Sequence, residues 1–320
     1  MSRLRLSLTL AWLLAAFAGL AHAAPYPYPL RGRLRVDVDL CTIEAPAGAE
    51  PALRSLSTRA PAILARVESD LGCQPAGRYR FVLIPPGPAL DPDVRALDGA
   101  APLWAAGFVV RGARLGAIRI AEAASYPYGT IESVFAHESS HVLLQDAVPA
   151  GLPLWFEEGV ATREGRRWSM EDVLAYSGAV LADDLPSLDE LSAEFHAASE
   201  ERVRRAYAAS FAFVGWASRD HEALIRDVVR AARNRPFAEA WRSASGGSLD
   251  EAERRWRHEA LVRYRWIAAL TASSTLWIAL SLLAMIAGIV RRRRAHAGRV
   301  EWARREPDPE ADDPWEPPAQ

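Results

Sequence analysis

The chain has 320 residues, half of them hydrophobic, with 38 basic and 40 acidic side chains and a formal net charge of −2 at pH 7. That balance excludes the basic footprint of a nucleic-acid binder, so no nucleic-acid partner is expected. The basic residues are all Arg and Ala is abundant, a composition typical of a GC-rich bacterial genome.

Residues 1–23 read as a secretory signal. Arg3 and Arg5 lead, an uncharged run follows from Leu6 to Ala21, and Ala21-His22-Ala23 places small residues at both ends of a cleavage triplet. Near the other end, Trp266 to Val290 carries no charge over 25 residues. As a helix this run reaches about 37 Å, enough to cross a hydrocarbon core of about 30 Å. Arg291 to Arg294 follow it and favour a cytoplasmic position. The expected division is therefore a signal (1–23), an extracytoplasmic domain (24–265), a transmembrane helix (266–290) and a disordered cytoplasmic tail (291–320). That tail is basic, then rich in Glu, Asp and Pro, with too little apolar surface for a core. The expected location is a bacterial inner membrane, with the main domain periplasmic. Cys41 and Cys73 both fall in that oxidising compartment and are expected to form a disulfide. They lie far from the histidines discussed below and lack a C-x-x-C spacing, which argues against a zinc role.

Within 24–265, Arg33 to Leu40 alternates, with Leu34, Val36, Val38 and Leu40 on one face of a half-buried strand. Ile63, Leu64, Val67 and Leu71 recur at helical spacing, and Gly72 stops that helix. Tyr79 to Ile84 is a second strand, ended by Pro85-Pro86. Gly107 to Val110 and Ala117 to Ile120 form a hairpin around Arg111 to Arg114. From Thr130 onward the pattern is helical. Strands first and helices afterwards indicate an α+β domain: a mixed-sheet lobe, a central helix and a helical C-terminal lobe.

The chemistry centres on that helix. Thr130 is its N-cap, it runs from Ile131 to about Gln145, and Pro149, Gly151 and Pro153 end it. His137 and His141 are four residues apart and project from one face, so both imidazoles can bind one Zn²⁺ at roughly 2.0 to 2.1 Å. Glu138 lies beside the open position and can act as general base on a water there. The turn from Ala147 to Pro153 then reverses the chain. Leu154 to Thr162 begins a second helix that can return a carboxylate to the histidines.

H-E-x-x-H followed by W-F-E-E-G-V-A (Trp155 to Ala161) resembles the gluzincin metallopeptidases and, among them, the bacterial peptidase MA-like domains. The resemblance implies a zincin-like fold, Zn²⁺ as cofactor, hydrolysis of peptides or proteins, and Glu158 as third zinc ligand, with Glu157 the alternative. Leu115 to Ile120 resembles the edge strand that lines the family's substrate cleft, and Phe237 to Arg257 its closing helices. Tyr207 to Phe211 resembles the Tyr-containing helix, which makes Tyr207 the candidate oxyanion donor; His196, His221 and His258 are other possible donors. Thr162, one turn after Glu158, is placed to hydrogen-bond a liganding histidine. Gluzincin aminopeptidases carry G-A-M-E-N on the cleft strand, and Gly116-Ala117-Ile118-Arg119-Ile120 has Arg in place of that carboxylate. The expectation is therefore an endopeptidase, the alternative being a catalytically silent binding module on the same scaffold.

Overall fold

A computed structural model describes residues 34–305 apart from 88–91, 100, 102–104, 126, 198 and 273. The expected signal, 1–23, lies outside the described residues.

The strands are β1 (Leu34–Val38), β2 (Cys41–Ala45), β3 (Tyr79–Ile84), β4 (Gly107–Val110) and β5 (Leu115–Arg119). They form one five-stranded mixed sheet in the order β1-β2-β3-β5-β4. β1 and β2 are antiparallel, β2, β3 and β5 are parallel, and β4 returns antiparallel on β5 with Gly107 opposite Ile118. Helix α1 (Glu50–Leu71) makes the crossover from β2 to β3 and ends on Gly72, whose φ of 63° is the left-handed cap that Gly adopts without strain. The short helices α2 (Pro92–Asp98) and α3 (Ile120–Ala123) flank the hairpin.

Two strand assignments differ from expectation. β2 escapes alternation analysis because all five of its residues are buried, leaving no polar face. The expected cleft-edge strand, β5, lies inside the sheet between β3 and β4. The hairpin folds β4 outside it, so β4 is the free edge.

Helix α4 (Ile131–Ala147) starts at Thr130, whose hydroxyl accepts from Ser133 N at 3.1 Å. Every residue from Val134 to Leu144 is buried. Its sheet-facing side joins a core of Ile43, Phe81, Leu83 and Ile118, with Phe135 edge-on to Phe81 at 4.9 Å between ring centroids. The helical lobe continues through α5 (Leu154–Gly165), α6 (Met170–Leu181), α7 (Leu188–Glu194), α8 (Glu200–Ala217), α9 (Leu224–Ala232) and α10 (Phe237–Ser245) into α11 (Leu249–Ala272). Rings from α5, α8, α10 and α11 interlock around Phe213, with Trp155 at 5.3 Å, Trp256 at 5.2 Å and Trp241 at 5.6 Å. Aromatic pairs at such distances add roughly 0.5 to 1.5 kcal/mol each beyond the area they bury.

Cys41 and Cys73 are free, buried thiols, so the expected disulfide does not form. Cys41 starts β2 within the sheet core, whereas Cys73 follows α1 and its thiol faces Leu143 O at 3.9 Å. Burial pushes both thiols up, Cys73 to about 11, which makes them poor nucleophiles.

The chain divides into two compact units, 1–261 and 262–320. In the second, α12 (Ser274–Arg305) carries the end of the expected span. Among the described residues, no helix is long and apolar enough to cross a membrane. The large apolar side chains of α12 from Trp277 to Val290 are nevertheless exposed. Residues 291–305, expected as disordered tail, continue that helix, since Ala, Arg and Glu are strong helix formers. Residues 306–320 lie outside the described residues.

Candidate metal centre

α4 and α5 are joined by the turn from Val148 to Pro153, in which Gly151 adopts a φ of 86°. They run antiparallel, with Glu158 reaching His137 and His141 while Gly165 lies against Ser133 and His137. Two glycines permit this approach. A Cβ on Gly165 would stand 2.8 Å from Ser133 O, and one on Gly159 would stand 2.7 Å from Ser210 O on α8. The Gly that follows Glu158 thus lets α8, with Tyr207 one turn before Ser210, close over the site.

The three expected ligands converge. His137 Nε2 and His141 Nε2 are 3.2 Å apart, and Glu158 Oε2 is 3.4 Å from the first and 3.5 Å from the second. Donors about 2.05 Å from one tetrahedral zinc ion stand about 3.3 Å apart, so the spacing is that of a zinc site without rearrangement. The chemistry also fits. Glu158 Oε2 is buried without a hydrogen-bond donor, a costly state for a carboxylate unless a cation meets it. Among the described residues this trio is the cluster with metal-ligating geometry. Two nitrogens and one oxygen leave a fourth position open, the pattern of catalytic rather than structural zinc.

Glu157 is not a ligand. Its Oε1 accepts from Leu152 N at 3.3 Å and its Oε2 pairs with Arg111 at 3.4 Å, so it ties the α4–α5 turn to the hairpin. Thr162 is buried, but its hydroxyl and His137 Nδ1 both lack a hydrogen-bond partner, and the expected contact between them is not made. His196, His221 and His258 are exposed and lie away from the cavity.

Glu138, 3% exposed, faces the edge strand: a Cβ on Gly107 would stand 2.7 Å from its Oε1, so only Gly lets β4 pass this closely. Burial pushes Glu138 up to about 8, and the nearby Glu158 adds to the shift while His141 opposes it. Burial works to lower the His141 imidazole, but the Glu158 carboxylate overrides it and holds it at about 9. Glu158 itself is held well below the usual carboxylate range by the two histidines, against its burial.

The trio opens on a cavity of about 720 Å³. Its walls include Gly107, Phe108 and Val109 of β4, Tyr128 from the loop before α4, and Arg204 and Tyr207 of α8. Tyr207 is half-buried and its hydroxyl hydrogen-bonds the Glu158 carboxylate. Arg166 and Asp172 form a buried pair at the cavity wall, with Arg166 Nη2 2.8 Å from Asp172 Oδ1. Asp172 also accepts from Ser169 N in the capping box of α6, a Ser-x-x-Asp spacing that was legible in the sequence. Arg119 does not reach the cavity. It is buried and bonds Asp98 Oδ1 at 2.6 Å, Asp98 O at 2.7 Å and Ala105 O at 2.7 Å, bracing the segment before β4. It therefore carries no argument about a substrate's amine. Sequence reasoning missed Tyr128, although its signal was present, an aromatic beside Gly129 just ahead of the cap of α4.

No family model matches the chain, and no curated protein is significantly similar to it.

Proposed function

We propose that this protein is a zinc metallopeptidase that hydrolyses peptide bonds of extracytoplasmic peptides or proteins, an endopeptidase of gluzincin type. The observation that carries this reading is the mutual spacing of His137 Nε2, His141 Nε2 and Glu158 Oε2, from 3.2 to 3.5 Å, with buried Glu138 on the next residue. A zinc ion bound there supplies Lewis acidity, polarising a carbonyl and acidifying a water at the fourth position.

Glu138 takes a proton from that water as its oxygen bonds the carbonyl carbon and the carbonyl π pair moves onto oxygen. The C–N bond then breaks, and the same proton passes from Glu138 to the leaving nitrogen. A cation beside Glu138 lowers its pKa from the metal-free value, so the group is ionised when it must accept. Tyr207, engaged by Glu158, holds the third ligand in place. β4 offers unpaired backbone groups along the cavity, to which an extended peptide can pair.

We also place the enzyme in a membrane through the apolar run Trp266–Val290, with the catalytic unit outside. The exposed apolar side chains of α12 and the arginines that follow them support this reading.

The test is metal analysis with peptide-library cleavage by the full-length chain in detergent. About one zinc per chain is expected. Glu138→Gln should keep the zinc and lose roughly 10²- to 10⁴-fold in turnover. Undiminished hydrolysis in that variant would falsify the mechanism, and tight zinc without cleavage of any peptide would favour the silent binding module.

A further inference from the structure

Two phenols face the cavity, and their partners differ. Tyr207 is committed: its hydroxyl hydrogen-bonds Glu158, and its ring packs edge-on against Phe195 with centroids 4.9 Å apart. Tyr128 enters from the loop before α4, and its ring stands edge-on to His137 at 5.2 Å between centroids. Among the described residues no hydrogen bond holds its hydroxyl. The loop itself is firmly set. Tyr128 N and Gly129 N both donate to Ser125 O, at 3.1 and 2.9 Å, and Gly129 takes a φ of 78° before the Thr130 cap.

A donor contributes most to catalysis when it is fixed in advance and aimed where charge develops, and a donor already spent on a carboxylate is not free to do so. A phenol keeps its proton at neutral pH, since its ordinary pKa is about 10. Resting on the metallopeptidase reading above, we infer that Tyr128 is a further catalytic residue: its hydroxyl donates to the oxyanion formed when water adds to the scissile carbonyl. Tyr207, the donor expected from the sequence, is instead a positioning residue for Glu158.

The experiment uses zinc-loaded, full-length protein and a peptide whose scissile amide is replaced by a phosphonamidate, a stable tetrahedral anion. Binding is measured by calorimetry and zinc affinity by chelator competition, in wild type, Tyr128→Phe and Tyr207→Phe. Phe keeps both rings, so only the hydroxyls are lost. Tyr128→Phe should keep zinc affinity and weaken the phosphonamidate roughly 10- to 100-fold, the loss of one hydrogen bond to a charged group. Tyr207→Phe should instead lower zinc affinity by roughly tenfold or more, the effect of losing an outer partner of a ligand.

Wild-type binding of the probe by Tyr128→Phe overturns the proposal. So does a Tyr207→Phe variant that keeps zinc but loses the probe, and so does a zinc-loaded wild type that ignores the probe altogether. A wild type that takes up no zinc defeats the metallopeptidase reading itself, and the donor assignment with it.

Discussion

Helices α4 and α12 depart from the usual partition of side chains in opposite senses. α4 takes two histidines and a glutamate out of water, each at most 8% exposed, in the middle of the fold. α12 leaves Trp277, Ile278, Leu283, Met285 and Ile286 more than half exposed. Each arrangement is unfavourable for a chain alone in water. Burying an ion costs several kcal/mol even after relaxation, and exposing apolar area costs about 25 cal/mol per Å². The buried polar cluster calls for a cation, and the exposed apolar face for a non-aqueous surrounding. The difference teaches that a departure from the hydrophobic pattern carries its own sign, which names the class of missing component.

The strongest way to break the first half of that comparison is Glu158→Ala. Zinc affinity should fall well beyond the roughly 10- to 100-fold cost of losing an outer partner, while Glu157→Ala should keep the metal. Full zinc occupancy in Glu158→Ala, read by metal analysis after dialysis, would remove Glu158 from the site. The second half is tested by fractionation. The chain should stay with membranes in high salt and leave them only in detergent, and Leu283→Arg should weaken insertion by roughly 2.5 to 3.5 kcal/mol. Release of the wild type by salt would contradict a spanning helix.

A smaller effect sharpens the packing that serves the site. Gly159→Ala sets a methyl group against the α8 backbone and should cost about 1 to 3 kcal/mol in thermal or denaturant unfolding. An unchanged transition would mean that α8 yields freely.

The smallest effect is a slope with pH in the metal-free protein. Native Glu138, at about 8, keeps a proton that the unfolded carboxyl releases near 4.5. The native state therefore binds more protons across that window, and stability falls as pH rises through it. His141 acts with the same sign. Its stabilisation is complete below 6.5 and is lost as pH rises to about 9. Melting temperature without zinc should thus decline from pH 5 to 9. Zinc, which needs its ligands deprotonated, should flatten that decline, and Glu138→Gln should remove its lower part. A metal-free profile that rises over this range would contradict the burial of Glu138.

Much of the site was legible before folding. The Thr130 cap, the His137–His141 spacing, the Gly151 turn and the β4–β5 hairpin are local, and local geometry follows from backbone periodicity and turn chemistry. What was misread depends on neighbours distant in sequence. The position of β5 inside the sheet, the burial of β2 and the separate fates of Cys41 and Cys73 are set by strand order and packing, which no window of sequence contains. Arg119 sat where a cleft residue was expected, and only its bonds to Asp98 and Ala105 reveal a brace.

By itself the sequence determined that two imidazoles share a helix face with a glutamate beside them, because residues four apart on an α-helix must do so. It did not choose between Glu157 and Glu158, nor between Tyr128 and Tyr207. Those choices were made by α5 and α8 closing on one another across Gly159, and by an edge strand passing Glu138 at Gly107. A side chain's role follows from what lies within a few ångströms of it, and that is decided only when the whole chain packs.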